Sequence, residues 1–199
     1  MATETQKLVI VDAVAWQKWL DENHSDSTGV WLVLAKKGTA SPTSLTYAQA
    51  LEEALCYGWI DGQARSGDDL TYIQRFTPRR RRSGWSKRNT GIAERLVSQG
   101  RMRLAGAAEI ERAKADGRWE AAYAGPAAIE VPPELAAALA VSPKARAMFE
   151  ALNSQNRYAI LFRIATAKRP ETRAKRIEQF VAMLAQGETI YPQKRASTD

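Results

Sequence analysis

The sequence predicts an α+β fold, with a small two- or three-stranded sheet packed with helices in the N-terminal part, followed by an all-helical C-terminal module. Three observations predict it. The short β-prone runs Val30–Ala35 and Leu70–Phe76 fall in the first half of the chain. From Ser86 onward, apolar residues recur only at helical spacing. Between the helices, Ala124–Pro133 (AGPAAIEVPP) breaks that spacing with glycine and prolines, which marks a linker. The organisation that follows is an α+β domain over 1–123, a linker over 124–133, a helical module over 134–187 and a loose tail over 188–199.

Each element has a local cause. Asp12 can cap a first helix in which Trp16, Trp19 and Leu20 stand at i, i+3 and i+4, ending near Asn23. Val30–Ala35 reads as a buried strand and Gly38–Ser44 as a loop. Thr46 and Gln49 make a capping box for a second helix with Tyr47, Ala50, Leu51, Ala54 and Leu55 on one stripe. That helix runs to about Gly58, after which Trp59–Asp61 turns extended and Gly62–Asp69 has the composition of a connection. Leu70–Phe76 alternates as a strand and Pro78 ends it. Helices then follow over Ser86–Gln99 and Arg101–Asp116, from Pro133, over Ser142–Leu152, through Tyr158–Ala165, and from Pro170 to Gly187.

Composition narrows the function classes. At 199 residues with 45% hydrophobic and 26% charged residues, the chain has the makings of one or two cores. No apolar run reaches the ~18 residues of a membrane span, and Met1–Lys7 lacks the pattern of a signal peptide, so a cytoplasmic protein with no membrane insertion is expected. With Cys56 the single cysteine and His24 the single histidine, neither an internal disulfide nor a Cys/His metal site is available; no metal and no cofactor are expected. Cys56 reads as a buried, inert thiol, His24 as a surface residue at the end of the first helix, and Asp68-Asp69 as a turn. Phosphate-loop, dinucleotide-binding, zinc-protease and nucleophile-elbow motifs do not occur.

The charge is polarised. A net +7 is built from a block of +9 over Arg75–Arg103 and one of +5 over Arg163–Arg176, which leaves the remainder acidic. In the first block Phe76 and Trp85 bracket Arg79–Arg82 and are followed by Ser86, Lys87 and Asn89 at a helix start. Guanidinium forks and helix N-termini both suit phosphate or carboxylate. The competing reading is a solvated loop with Trp85 packed on the sheet. Upstream, GWIDGQ places Asp61 between glycines, as a weak candidate general base or as the ion-pair partner of Arg75 or Arg79; the ion pair is the plainer reading, because no nucleophile accompanies it. The candidate ligand-binding set is Trp59, Asp61, Gln63, Arg65, Arg75, Phe76, Arg79, Arg80, Trp85, Ser86, Lys87 and Asn89.

Three segments, SLTYAQALEEALCYGWIDGQ (Ser44–Gln63), RFTPRRRRSGWSKRN (Arg75–Asn89) and AKRPETRAKRIEQFVAMLAQG (Ala167–Gly187), resemble the YdeI/OmpD-associated, or bacteriocin-protection, family, and the likeness extends from about Trp16 to Gly187. The last segment resembles that family's C-terminal module. The resemblance implies a role in stress or antibacterial-peptide protection and supplies no catalytic residue set. Three functions follow from residues and resemblance together: a protein binding a small anionic molecule at the basic, aromatic-edged site; a nucleic-acid binder using Arg79–Arg82 and Arg163–Arg176 as one stripe; or an enzyme on an anionic substrate with Asp61 as general base.

Overall fold

A computed structural model describes residues 7–193, which divide into two compact units, one ending at Ala122 and the other beginning at Tyr123. The first unit is α+β. Its described elements are β1 (Lys7–Leu8), α1 (Ala13–Asn23), β2 (Val30–Ala35), α2 (Tyr47–Cys56), β3 (Trp59–Ser66), β4 (Thr71–Pro78), α3 (Lys87–Ser98) and α4 (Leu104–Ala115). The sheet has four strands in the order β1-β2-β4-β3, with β1 parallel to β2 and the other pairs antiparallel.

Two strands correct the sequence-based expectation of two or three. β1 has two residues, too few to show any period, and it exists through pairing of Lys7 with Trp31 and Leu8 with Leu32. β3 continues through Gly62–Ser66, where turn-forming residues suggested a connection. There the register against β4 shifts between Asp61 and Ala64, so that Gly62 and Gln63 form a bulge. The Gln74 amide donates to the Gly62 carbonyl at 2.7 Å, supplying a bond in the irregular stretch.

Aromatic packing dominates this unit's core. Trp16, Trp59, Phe76 and Trp85 are all buried. Trp16 stacks on Trp19 at 5.2 Å and meets Trp59 edge-on at 6.4 Å and Phe76 at 5.9 Å. The indole N–H of Trp59 donates to the His24 carbonyl and that of Trp16 to the Ala50 carbonyl, so these two polar handles are satisfied inside the core. His24 itself is half-buried as the C-cap of α1, its ring against Tyr57, rather than on the surface as its position suggested. Close approach fixes two glycines: a Cβ at Gly29, whose φ is +121°, would sit 2.6 Å from the Phe76 carbonyl, and one at Gly106 would sit 2.3 Å from that of Cys56.

Helix starts are those the sequence marks. Asp12 accepts from the Ala15 amide at 2.8 Å, Thr46 and Gln49 form a reciprocal capping box, and Ser86 accepts from Asn89. Cys56 is buried and free, its thiol pushed up to about 11, first by burial and then by the Glu53 carboxylate. Asp68 accepts from the Thr71 hydroxyl and from the Thr71 and Leu70 amides as a turn residue, which draws its carboxyl below the ordinary value.

The second unit is helical: α5 (Pro133–Ala140), α6 (Pro143–Glu150), α7 (Ser154–Ala165) and α8 (Pro170–Ala185) enclose Leu135, Leu139, Phe149, Ile160, Leu161, Ile164, Ile177 and Leu184. The segment expected to be a loose tail is tied down as far as Gln193. Asn156, fully buried, accepts from the Tyr191 amide at 2.8 Å and donates to the Tyr191 carbonyl at 3.0 Å. The rest of that expectation, 194–199, lies outside the described residues.

Candidate functional site

The structure disperses the sequence-predicted set among three environments. Trp59, Phe76, Trp85, Arg79 and Asn89 belong to the interior. Arg79, 6% exposed, lies with its guanidinium carbon 3.5 Å from the centre of the Trp85 ring and donates to the Gly84 carbonyl at 3.0 Å. It anchors the arginine-rich loop. Ser83 accepts from the Arg80 amide at 2.9 Å, and Arg118 donates to the Ser83 carbonyl at 2.7 Å. Arg80, Arg81 and Arg82 are thereby left exposed on a fixed turn, with Lys87 exposed at the start of α3. The Ser86 hydroxyl caps α3 through Asn89.

Asp61 forms the second environment. Its carboxylate accepts from the Tyr47 hydroxyl at 2.9 Å, so the partner the structure supplies is a tyrosine on α2 instead of the ion pair expected with Arg75 or Arg79. Arg88 approaches the same hydroxyl at 3.4 Å and lies 5.1 Å from the centre of the Tyr47 ring. Burial, followed by the Asp61 charge and hydrogen bond, pushes the Tyr47 phenol up to about 12. The phenol is therefore a donor at neutral pH, and one oxygen of Asp61 is committed to it.

The third environment is the sheet face opposite the aromatic core. Side chains alternate along a strand, so Val30, Leu32 and Leu34 enter the core while Trp31 points the other way, opposite Arg75 on β4 and beside Lys7 on β1. From β3, Arg65 reaches over Trp31 with its guanidinium carbon 3.9 Å from the ring centre, and Arg75 lies 5.8 Å from it. The stem of Arg75 lies against the bulge, where a Cβ at Gly62 would stand 3.4 Å from both its Cβ and Cγ, in ordinary van der Waals contact. The Arg75 Nη1 is buried without a hydrogen-bond partner, and burial followed by the Arg65 charge lowers the Arg75 pKa. Neither arginine is in a salt bridge with an acid among the described residues. By contrast, Arg95 and Arg101 of the same basic block pair with Glu52, each at 2.8 Å, and Arg101 also with Glu53. Although burial opposes it, those two arginines hold the Glu52 carboxyl below its ordinary value.

Of the predicted residues, then, Arg65 and Arg75 come together, Gln63 is exposed in the adjoining bulge, and Trp31 and Lys7 join them unpredicted. A signal for Trp31 existed: it is out of phase with Val30, Leu32 and Leu34. The continuous apolar run concealed that alternation. Two cavities stand elsewhere, in the second unit, of about 500 and 260 Å³. The larger is lined by Pro126, Ser154, Gln155, Tyr158, Phe162, Arg163 and Tyr191, among others. Among the described residues no three His, Cys, Asp or Glu side chains gather as a metal site, and no helix is long and apolar enough to cross a membrane.

Fold and site define a basic α+β protein with a cation-bearing sheet face and a four-helix C-terminal module. The chain belongs to the family described as Domain of unknown function (DUF8412), which it matches over residues 8–109. Residues 128–187 match the family described as Bacteriocin-protection, YdeI or OmpD-Associated, the family that Ala167–Gly187 resembles. The Ser44–Gln63 and Arg75–Asn89 motifs fall within the first match, not the second. The chain has no significant match among curated proteins or among solved structures.

Proposed function

We propose that this protein binds a small phosphate- or carboxylate-bearing molecule on the outer face of its N-terminal sheet, at Arg65, Arg75 and Trp31, with Lys7 alongside. The observation that carries the reading is the convergence of two guanidinium groups on one tryptophan, with no salt bridge to an acid among the described residues. Stacking uses the flat face of the Arg65 guanidinium and leaves its edge donors free for a bidentate acceptor, while Arg75, one of whose terminal nitrogens is buried, adds its charge. Like charges in one place cost free energy that an anion recovers. The predicted ligand class is retained, with Trp31 taking the aromatic role assigned to Trp59 and Trp85. The binder is a cytoplasmic one in this reading, in keeping with its single free thiol, and its role in the cell lies in stress or antibacterial-peptide protection, of which the description of the C-terminal family match supports bacteriocin protection.

Calorimetric titration with inorganic pyrophosphate tests the reading. Saturable binding is expected, weakened at least ~10-fold in Arg65→Ala and Arg75→Met, the loss of about one charge-assisted hydrogen bond. Arg75→Met should leave thermal stability unchanged or raised by up to about 0.5 kcal/mol, because it relieves the repulsion from Arg65. Binding unaffected by both substitutions removes the site. Binding of oligothymidylate alone, with log Kd linear in log salt, would instead make it a nucleic-acid surface.

A further inference from the structure

We infer that the C-terminal unit holds a second, separate binding site, for a flat aromatic ring carrying one negative group, in the cleft along α7. The cleft has the volume of a small-molecule site, about 500 Å³ against a usual range of ~300–1,000 Å³. Ser154, Gln155, Tyr158, Ala159, Phe162 and Arg163 stand at i, i+1, i+4, i+5, i+8 and i+9, a single stripe of α7 about 13 Å long.

Its walls are rings, and they are held in place. Phe162 meets Tyr123 edge-on at 4.9 Å and Tyr158 at 5.6 Å, so that ring is fixed by two others. Tyr191 lines the cleft from a different segment, and its main chain is clamped at both N–H and C=O by the buried Asn156. Aromatic surfaces fixed in this manner accept a further ring edge-on or offset, a contact worth ~0.5–1.5 kcal/mol beyond the area it buries.

Charge selects the ligand's sign. Among the described residues the lining contains Arg163 and no acid, and the guanidinium lies 6.0 Å from the centre of the Tyr191 ring. Arg163 is pinned by donating from Nη1 to the Ala159 carbonyl at 3.1 Å, and its own carbonyl accepts from Arg176. Its remaining donors sit at the end of the aromatic stripe. Ser154 and Gln155 offer neutral polar groups at the other end. A ring against Tyr158 and Phe162 with its carboxylate or phosphate toward Arg163 uses every one of these parts.

Saturation-transfer NMR and calorimetry on the full chain, with 4-hydroxyphenylacetate as probe, test this. Saturable binding is expected, at least ~5-fold weaker for the neutral 4-hydroxyphenylacetamide and for the non-aromatic cyclohexylacetate, a difference of about 1 kcal/mol. Arg163→Gln should abolish the preference for the acid over the amide, and Tyr191→Ala should weaken all ring-containing probes; both side chains reach solvent, so both variants should fold. Binding of the probe to the cleft should persist with the sheet face saturated by inorganic pyrophosphate, which separates this site from the sheet face. The inference is overturned by absence of saturation below ~10 mM, by equal affinity for acid and amide, or by indifference to both cleft substitutions.

Discussion

The two units use aromatic side chains in opposite ways. All six tryptophans belong to the first unit, where Trp16, Trp59 and Trp85 are buried, Trp19 and Trp119 pack against them half-buried, and Trp31 alone carries arginines on the other face of the sheet. The second unit builds its core mainly from leucine and isoleucine and places Tyr158, Phe162 and Tyr191 around a surface cleft, with Tyr123 packed against Phe162. Where large rings are consumed by packing, the outer sheet face is left with cations above a single ring. Where aliphatic helices suffice for a core, rings are left to line a surface cleft.

The largest expected effect probes the packing half of this contrast. Trp59→Ala removes a ring 1% exposed that touches Trp16 and Trp19 and leaves the His24 carbonyl without its donor. A loss of ~3–5 kcal/mol follows from cavity formation, and urea unfolding should show it by tryptophan emission. Since the second unit has no tryptophan, helicity followed by circular dichroism should retain a later transition. A single coincident transition would show that the two units unfold as one.

In the second unit the counterpart is Asn156, at 0% exposure. Asn156→Ala leaves the Tyr191 amide without its partner and the Tyr191 carbonyl with the Thr189 hydroxyl alone, a cost of about 1–3 kcal/mol, readable in the helical transition alone. The Asn153 cap, which accepts from the Asn156 main-chain amide, is untouched. If Tyr191 serves only packing, probe binding in the cleft falls no further than stability does; if it is a wall of the site, binding is lost while the unit is still folded.

How much of this the sequence revealed follows from the range of the forces concerned. Helix starts are local, and Asp12, Thr46, Ser86, Pro133, Pro143 and Pro170 each mark one within a residue or two. β1 and the second half of β3 depend on strand pairing across the sheet, and turn residues such as Gly62 and Ser66 concealed the latter. The proposed sheet-face site draws on chemistry that the sequence announces and on a placement that it does not. Arg65 and Arg75 carry the charge that composition announced, while the conspicuous Arg79 and Trp85 stack on one another as structure. Nothing in the charge pattern indicates which arginine will find a carbonyl or an indole face; that depends on a bulge at Gly62 and on the turn held by Arg118. The cleft was missed because its rings stand at helical spacing, as core residues also do, and because Tyr191 reaches it from the segment read as a tail.

The smallest effect sharpens the comparison through pH. In the first unit burial and an adjacent carboxylate raise two phenols to about 12, Tyr47 beside Asp61 and Tyr57 beside Asp21, whose bond to Tyr57 is 2.5 Å long. In the unfolded chain both titrate near 10. A folded-state pKa above the unfolded one means that the native state holds the proton more tightly, so this stabilisation is complete below about pH 10 and is lost as pH rises toward 12. In the second unit Tyr158 is raised too, first by burial and then by Tyr123, but among the described residues no carboxylate bonds to it. Between those pH values the tryptophan-monitored transition should therefore weaken more than the helical one, by on the order of 1 kcal/mol per phenol after allowance for partial exposure. Tyr47→Phe should remove its share of that slope and leave the midpoint at neutral pH lower by the lost bond to Asp61, whereas an unchanged alkaline slope would mean that the Tyr47 hydroxyl is not held by Asp61 in solution.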